Sequence, residues 1–449
     1  MTSVGQTQLP ARAAPHGERP IHVRFAFGAI WLVLGAVVSR GLTLAGFVLA
    51  SRALGAAGFG EVGMIQSTQG LFGVLAGGGL GLAATKYVAQ FRTTDRTRAG
   101  RCFALAMLIA VVCGVVGAVV LFAFAGPMAA KVLGAPHLVT ELRVATGLLL
   151  FGAVAGVQTG TINGLGEFRA AALLAIFRGV CIVMALPSGI RLGGVPGAVI
   201  GLVAAEAAGV VANQLALRRM FPQTWYGCGR GSWRELAAVG RFAGMAVLGS
   251  IATTLALWLG NTLLVSQPDG YAALGVFNAA ERWRQLLLFL PAAVSPIILS
   301  MLSNPHGSDD RVAYRQLLGV NLVVSAAIVL IPAAGLAALA ALAMSLFGEE
   351  YRCGATTLVI LTASAVAVVF NNLLGQVLVS KGAIWWRAAL DGLLAIVLVV
   401  VAWKAVPASR DEGLALAHLA AYAATAVALV VPVMVYLRRQ QGEAAPQRN

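Results

Sequence analysis

Apolar residues run along this chain in stretches of about 20, the length a helix needs to cross a bilayer, separated by short polar segments. The pattern predicts twelve spans, near 26–50, 60–84, 102–125, 141–162, 170–190, 195–217, 238–266, 271–301, 317–343, 355–380, 387–406 and 413–437. The polar opening, Met1 to Arg24, is too long and too weakly organised for a signal-peptide n-region. The run after it is too long for an h-region, so the first helix is expected to stay in the mature protein.

Composition removes the soluble alternatives. Of 449 residues, 59% are hydrophobic and 11% charged, where a soluble domain carries about 25% charged residues. Mean hydropathy is +0.85, and twelve spans leave little chain for a soluble domain. The net charge of +15 would suggest nucleic acid on a soluble protein. Here no basic stretch is interleaved with exposed aromatics, so the excess reads as a topology signal and as contact with anionic membrane lipids, and no nucleic-acid partner is expected. Placing the N-terminus in the cytoplasm puts 21 Lys and Arg inside and 7 outside, which predicts a multi-pass protein with both termini cytoplasmic. Arg40, Arg178, Arg282 and Arg284 fall within spans instead.

The chain also repeats itself. Gly58-Phe59 and Gly63 echo Gly270-Tyr271 and Gly275 at an offset of 212, Leu133-Gly134 echoes Phe347-Gly348 at 214, and the Gly166 turn echoes the Gly382 turn at 216. An even number of spans per unit makes such a repeat parallel, with a pseudo-twofold axis along the membrane normal. The expected organisation is a cytoplasmic tail 1–25, a six-helix bundle 26–217, a cytoplasmic linker 218–237, a second six-helix bundle 238–437 and a cytoplasmic tail 438–449.

Motifs for chemistry are missing. There is no GxxxxGK[ST], HExxH or GxSxG, and none of the five cysteines forms a CxxC. We therefore expect no enzyme, no catalytic residue, no cofactor and no metal. Of the five histidines only His418 falls in a span, where it reads as a surface or packing residue.

Transport remains, and transport sites are built from polar groups near the bilayer midplane. Span eight carries Asn278, Glu281, Arg282, Arg284 and Gln285, about 12 to 22 Å below the outer loop at 1.5 Å per residue. Asn278, Glu281 and Arg284 or Gln285 share a helix face. A bare charge at that depth costs at least about 2.5–3.5 kcal/mol, so each must meet a partner or water. Two readings fit: an internal Glu281–Arg284 ion pair with a structural duty, or a charged patch lining a cavity. With Arg40 and Arg178 there are four intramembrane cations against the mid-span acids Glu206 and Glu281. A cationic cavity suits phosphate, which guanidinium groups grip through paired hydrogen bonds, so an anionic substrate is predicted on Arg40, Arg178, Arg282 and Arg284. Glu281 and Glu206 are the candidates for ion coupling. Uncharged polar residues mark further faces: Gln66 and Gln69; Ser250, Thr254, Trp258 and Asn261; Asn372 and Gln376. These are either interhelical glue or, with Asn278 and Gln285, a sugar-binding surface. Pro291 and Pro296 invite a kink in span eight.

Short motifs carry a family resemblance. Ala50-Ser-Arg-Ala-Leu-Gly-Ala-Ala-Gly-Phe-Gly60 resembles the "aR-LG---fG" opening of the Wzx-like oligosaccharide flippases, the polysaccharide-export branch of the superfamily that includes the multidrug and toxic compound extruders (MATE). Leu346-Phe-Gly-Glu-Glu-Tyr351 is similar to that family's "l-FG-eY" turn, and the Asn163–Phe168 turn and the Pro291–Leu302 end of span eight are similar as well. The resemblance implies an all-α polytopic membrane protein, with two parallel-repeat six-helix bundles around a central cavity. It implies that the protein moves a polyprenyl-pyrophosphate-linked oligosaccharide across the bacterial inner membrane by alternating access, for O-antigen, capsule or exopolysaccharide biosynthesis. A polysaccharide polymerase and glycosyltransferases are the candidate protein partners. The rival reading is a cation-coupled multidrug exporter of the same fold. Asp95-Arg96 offers only a near miss to the loop of a major-facilitator transporter.

Overall fold

The computed structural model describes the backbone of residues 21–220, 233–302, 326–380 and 384–442. The elements are α1 (Ile21–Gly77), α2 (Leu80–Phe91), α3 (Arg96–Pro127), α4 (Val139–Leu165), α5 (Phe168–Met220), α6 (Trp233–Val265), α7 (Gly270–Leu302), α8 (Ala326–Ala338), α9 (Ala340–Ser345), α10 (Ala355–Ser380) and α11 (Ile384–Gly442). Three single-turn elements sit at Met128–Val132, Pro136–Leu138 and Glu349–Gly354, and no strand occurs among the described residues. Asp95 of the near-miss motif caps α3, accepting from the Arg98 amide at 2.9 Å.

Three helices are too long for one crossing. Their apolar stretches, Val33–Val74, Phe168–Met220 and Ala389–Val430, hold 42, 53 and 42 residues, and a straight helix of that length would extend about 60 Å or more, twice the hydrocarbon thickness. Each is broken near its middle, at Gly55, at Gly193–Gly194 and at Ser409–Arg410. In α5 the break is a hairpin: Gly189 lies against the backbone of Gly197, and Ala185 against Gly201. With these breaks each predicted span has a helical counterpart among the described residues, the ninth as α8 and α9, its 317–325 part lying outside them. The second span departs from expectation. The apolar run predicts one helix over 60–84, but α1 ends at Gly77 and α2 starts at Leu80 and runs to Phe91. Three successive glycines, Gly77 to Gly79, have no side chains to favour the helical state there. α7 runs through Pro291 and Pro296 as one helix.

The repeat is written in the backbone as well. Gly55 and Asp269, Gly134 and Gly348, and Gly194 and Arg410 all have positive φ. They are separated by 214, 214 and 216 residues and form the turns at the end of the molecule opposite the chain termini. The second part of α1 and its counterpart α7 meet in parallel. A Cβ on Gly60 would strike the Tyr271 carbonyl, one on Gly275 the Ala56 carbonyl, and one on Gly63 the Asn278 side chain. These contacts link residues about one repeat apart, which places both helices beside the pseudo-twofold axis.

Packing differs between the two ends. At the turn end the halves share one core, where the Phe59 ring lies 6.3 Å from Phe47, 6.1 Å from Phe347 and 6.2 Å from Tyr351. Hydrogen bonds close the same seam from opposite sides: Ser51 Oγ donates to the Phe347 carbonyl at 2.9 Å with Arg52 Nε beside it on the Leu346 carbonyl at 2.8 Å, and Tyr271 Oη donates to the Leu133 carbonyl at 2.9 Å. Leu133 and Phe347 are repeat equivalents. Away from that end each half has its own core, Leu80, Val88, Phe103 and Leu217 in the first, and Ala256, Leu394, Leu398 and Ala421 in the second. Among the described residues the core shared by the halves lies at the turn end, while α2 and α3 of the first half also touch α6 of the second.

Candidate substrate cavity

Beneath that shared core lies a cavity of about 530 Å³ walled by α1, α4, α5, α6, α7 and α11. It brings together Gln66, Gln69, Arg178, Glu206, Asn261, Asn278, Glu281, Arg282, Arg284 and Gln285. Their depth follows from the hydropathy pattern. Their convergence follows from the glycine contacts that draw α1 and α7 together.

The charges are largely paired. Arg284 grips Glu281 with both arms, Nε to Oε2 at 2.6 Å and Nη2 to Oε1 at 2.8 Å, and Gln285 Nε2 adds 3.2 Å to Oε1. The sequence left an ion pair and a cavity-lining patch as alternatives for these residues; the geometry combines them, because the pair itself lines the cavity. Arg178 is likewise bidentate on Glu206, with Nε 3.1 Å from Oε2 and Nη2 on Oε1. Arg282 differs. Its Nη2 donates to Gln66 Oε1, its guanidinium carbon lies 3.8 Å from the Phe47 ring centre, and no carboxylate among the described residues forms an ion pair with it.

Arg40 stands apart. It is exposed and lies over the Phe289 ring at 4.6 Å, outside the cavity wall. Arg40 and Phe47 are seven residues apart and face the same seam, so Arg40 sits about 10 Å nearer the end that bears the chain termini. Among the described residues the cavity therefore holds three arginines and two carboxylates, and the surplus of cations is smaller than the sequence count of four against two. Asn372 is exposed on α10, away from the cavity. Its neighbour Asn371, turned by 100°, is buried and donates to Thr425 Oγ1 at 2.7 Å and the Tyr422 carbonyl at 3.0 Å. The Gln376 side chain lies outside the described residues.

Other lining residues carried no functional reading in the sequence. His418 lines the cavity with both ring nitrogens unpaired, packed edge-on 5.3 Å from Phe277 and 6.4 Å from Tyr422. The signal was its solitary place inside a span. Ser67 accepts from Asn261 Nδ2 at 2.8 Å, and Thr68 from Trp258 Nε1 at 3.1 Å, tying α6 across to the first half. Among the described residues no three His, Cys, Asp or Glu side chains are grouped to hold a metal ion.

A second cavity, of about 720 Å³, lies wholly in the first half and adjoins the central one at Gln69, Gly70, Gly152, Arg178 and Glu206. It runs towards the terminus-bearing end, past Thr159 to Thr85 and Asn163.

Comparison with known proteins agrees with this architecture. An inward-facing multidrug resistance MATE family transporter of the MOP superfamily superposes with a TM-score of 0.76 at 15% identity, over 93% of this chain and 100% of that one. The outward-facing form of such a transporter gives 0.69 at 16%, over 93% and 96%. A MOP superfamily transporter from Pyrococcus furiosus, whose binding pocket is described as of reverse polarity, also gives 0.69 at 16%, over 92% and 95%. No curated protein matches the sequence. The profile of the polysaccharide biosynthesis protein family matches residues 25–300, more than half of the chain. The protein is thus a multi-pass, all-α membrane protein with the fold of the MATE transporters, and it belongs to the polysaccharide biosynthesis protein family.

Proposed function

We propose that the chain flips a polyprenyl-pyrophosphate-linked oligosaccharide across the bacterial inner membrane for surface polysaccharide biosynthesis, by alternating access. The observation that carries this reading is Arg282. Among the described residues the other charges of the cavity are matched, and the Arg282 guanidinium is held by an amide and an aromatic face, which fix its position without neutralising it. A pyrophosphate there would meet a positioned cation at the level where the two halves meet. The family match supports a cargo of polysaccharide biosynthesis. With the termini in the cytoplasm, the core shared by the two halves lies on the periplasmic side of the cavity.

The drug-exporter reading draws on the fold and on the carboxylates Glu206 and Glu281. Both are already engaged by arginine, so a cationic drug or a coupling ion would have to displace a guanidinium. The discriminating experiment is deletion of the gene followed by mass spectrometry of the polyprenyl-linked lipids with leaflet-selective labelling. Accumulation of a glycan-pyrophosphate lipid on the cytoplasmic side, reversed by the wild type and not by stably expressed Arg282→Ala, is the expected outcome. Normal lipids with altered sensitivity to cationic drugs would overturn the proposal in favour of the exporter.

A further inference from the structure

The two adjoining cavities differ in chemistry. The central one presents Arg282, whereas among the described residues the only charges on the first-half cavity are Arg178 and Glu206, which are bound to each other. Nine of the residues around it are glycines, which leaves its space open between backbones. Apolar side chains such as Leu82, Leu149 and Leu174 form part of its wall, and the polar groups set among them, apart from the Arg178–Glu206 pair, are uncharged: Gln69, Thr159, Asn163 and Asn213. Asn213 is more than nine-tenths buried, and its side chain makes no hydrogen bond with another described residue. Its amide faces the open cavity, where a hydroxyl of an occupant can pair with it. A hydrocarbon chain in the same space would strand the Asn213 amide and the Arg178–Glu206 pair against apolar groups.

Resting on the function proposed above, we infer that the first-half cavity is the compartment for the distal sugars of the cargo, uncharged ones, while the pyrophosphate stays at Arg282 in the central cavity. The Arg178–Glu206 pair stands at the junction, where its outer edges meet the hydroxyls of the first sugars. This assigns Arg178 to the glycan rather than to the phosphate. At about 720 Å³ the compartment is within the usual size of a ligand pocket, about 300–1,000 Å³. Its volume then limits how long a glycan is carried.

Gly156 allows a direct test, because a Cβ placed there meets nothing within 4 Å and points into the compartment without disturbing packing. Purified full-length wild type, Gly156→Leu, Gly156→Trp, Asn213→Leu and the control Gly126→Leu are reconstituted in vesicles. A Cβ at Gly126 also meets nothing, and Gly126 lines neither cavity. Translocation of a polyprenyl-pyrophosphate monosaccharide and of a neutral tetrasaccharide on the same carrier is then measured. Gly156→Trp is expected to slow the tetrasaccharide about tenfold or more while leaving the monosaccharide within about twofold, with Gly156→Leu intermediate. Asn213→Leu is expected to slow the tetrasaccharide selectively, and the control to slow neither. Equal losses for both cargoes, or none for either, overturn the inference. Failure of the wild type to move either lipid overturns the functional reading and the inference with it.

Discussion

Arg282 and Arg284 are two residues apart on α7 and are held in opposite ways. Arg284 is committed to Glu281, and removing either partner leaves a buried charge without its counter-ion, whereas removing both leaves none. Arg284→Gln or Glu281→Gln alone is expected to destabilise the protein by a few kcal/mol, and the double variant by less than the sum. Thermal unfolding in detergent would read this coupling. Arg282 contributes little to packing of that kind. Arg282→Gln is expected to keep the melting temperature near that of wild type while losing cargo binding, and Arg282→Lys to recover it only in part, because an ammonium lacks the planar fork. A variant that melts early for want of Arg282 would make this residue structural. Span position told the sequence that these side chains lie deep in the membrane. Which arginine had a carboxylate partner depends on rotations of 100° per residue and on the second half's approach, and neither is written in local hydropathy. Arg40 shows the same limit: its depth was legible, but its displacement along the seam was not.

At the scale of the helix, legibility follows the solvent. Lipid demands a self-satisfied apolar segment, so the spans could be read from hydropathy alone. The break at Gly77–Gly79 was hidden because an apolar run continues through it. The repeat was legible at Gly134 and Gly348, but Asp269 and Arg410 carry a left-handed backbone without glycine, and nothing in their chemistry announces it. Gly55→Ala is expected to cost about 1–3 kcal/mol, since φ 70 with ψ 176 is a conformation essentially reserved for glycine. Asp269→Gly should be neutral or slightly stabilising, and a melting shift in the opposite direction for either would contradict this account of the turns. Gly60→Leu would force α1 and α7 apart against the Tyr271 carbonyl, with loss of both stability and transport expected.

For the whole molecule, alternating access requires the turn end to open. The Ser51 and Tyr271 hydrogen bonds close that end across both halves, each contributing about 0.5–1.5 kcal/mol. The double variant Ser51→Ala, Tyr271→Phe is expected to shift the population towards opening there by about 5-fold to 150-fold. Spin labels across the Phe59–Phe347 seam would record it as a new long distance, and an unchanged distribution would place the closure in the aromatic core and the Arg52 hydrogen bond.

The central claim is that the Arg282 guanidinium, without a carboxylate partner among the described residues, receives a lipid-linked pyrophosphate. The most direct measurement is translocation of polyprenyl-pyrophosphate oligosaccharide in reconstituted vesicles by wild type and Arg282→Ala matched for folding and insertion. Flipping by the wild type and loss of at least about 90% of the rate in the variant is the predicted result. Equal rates for the two, or no flipping by a well-folded wild type, would contradict it.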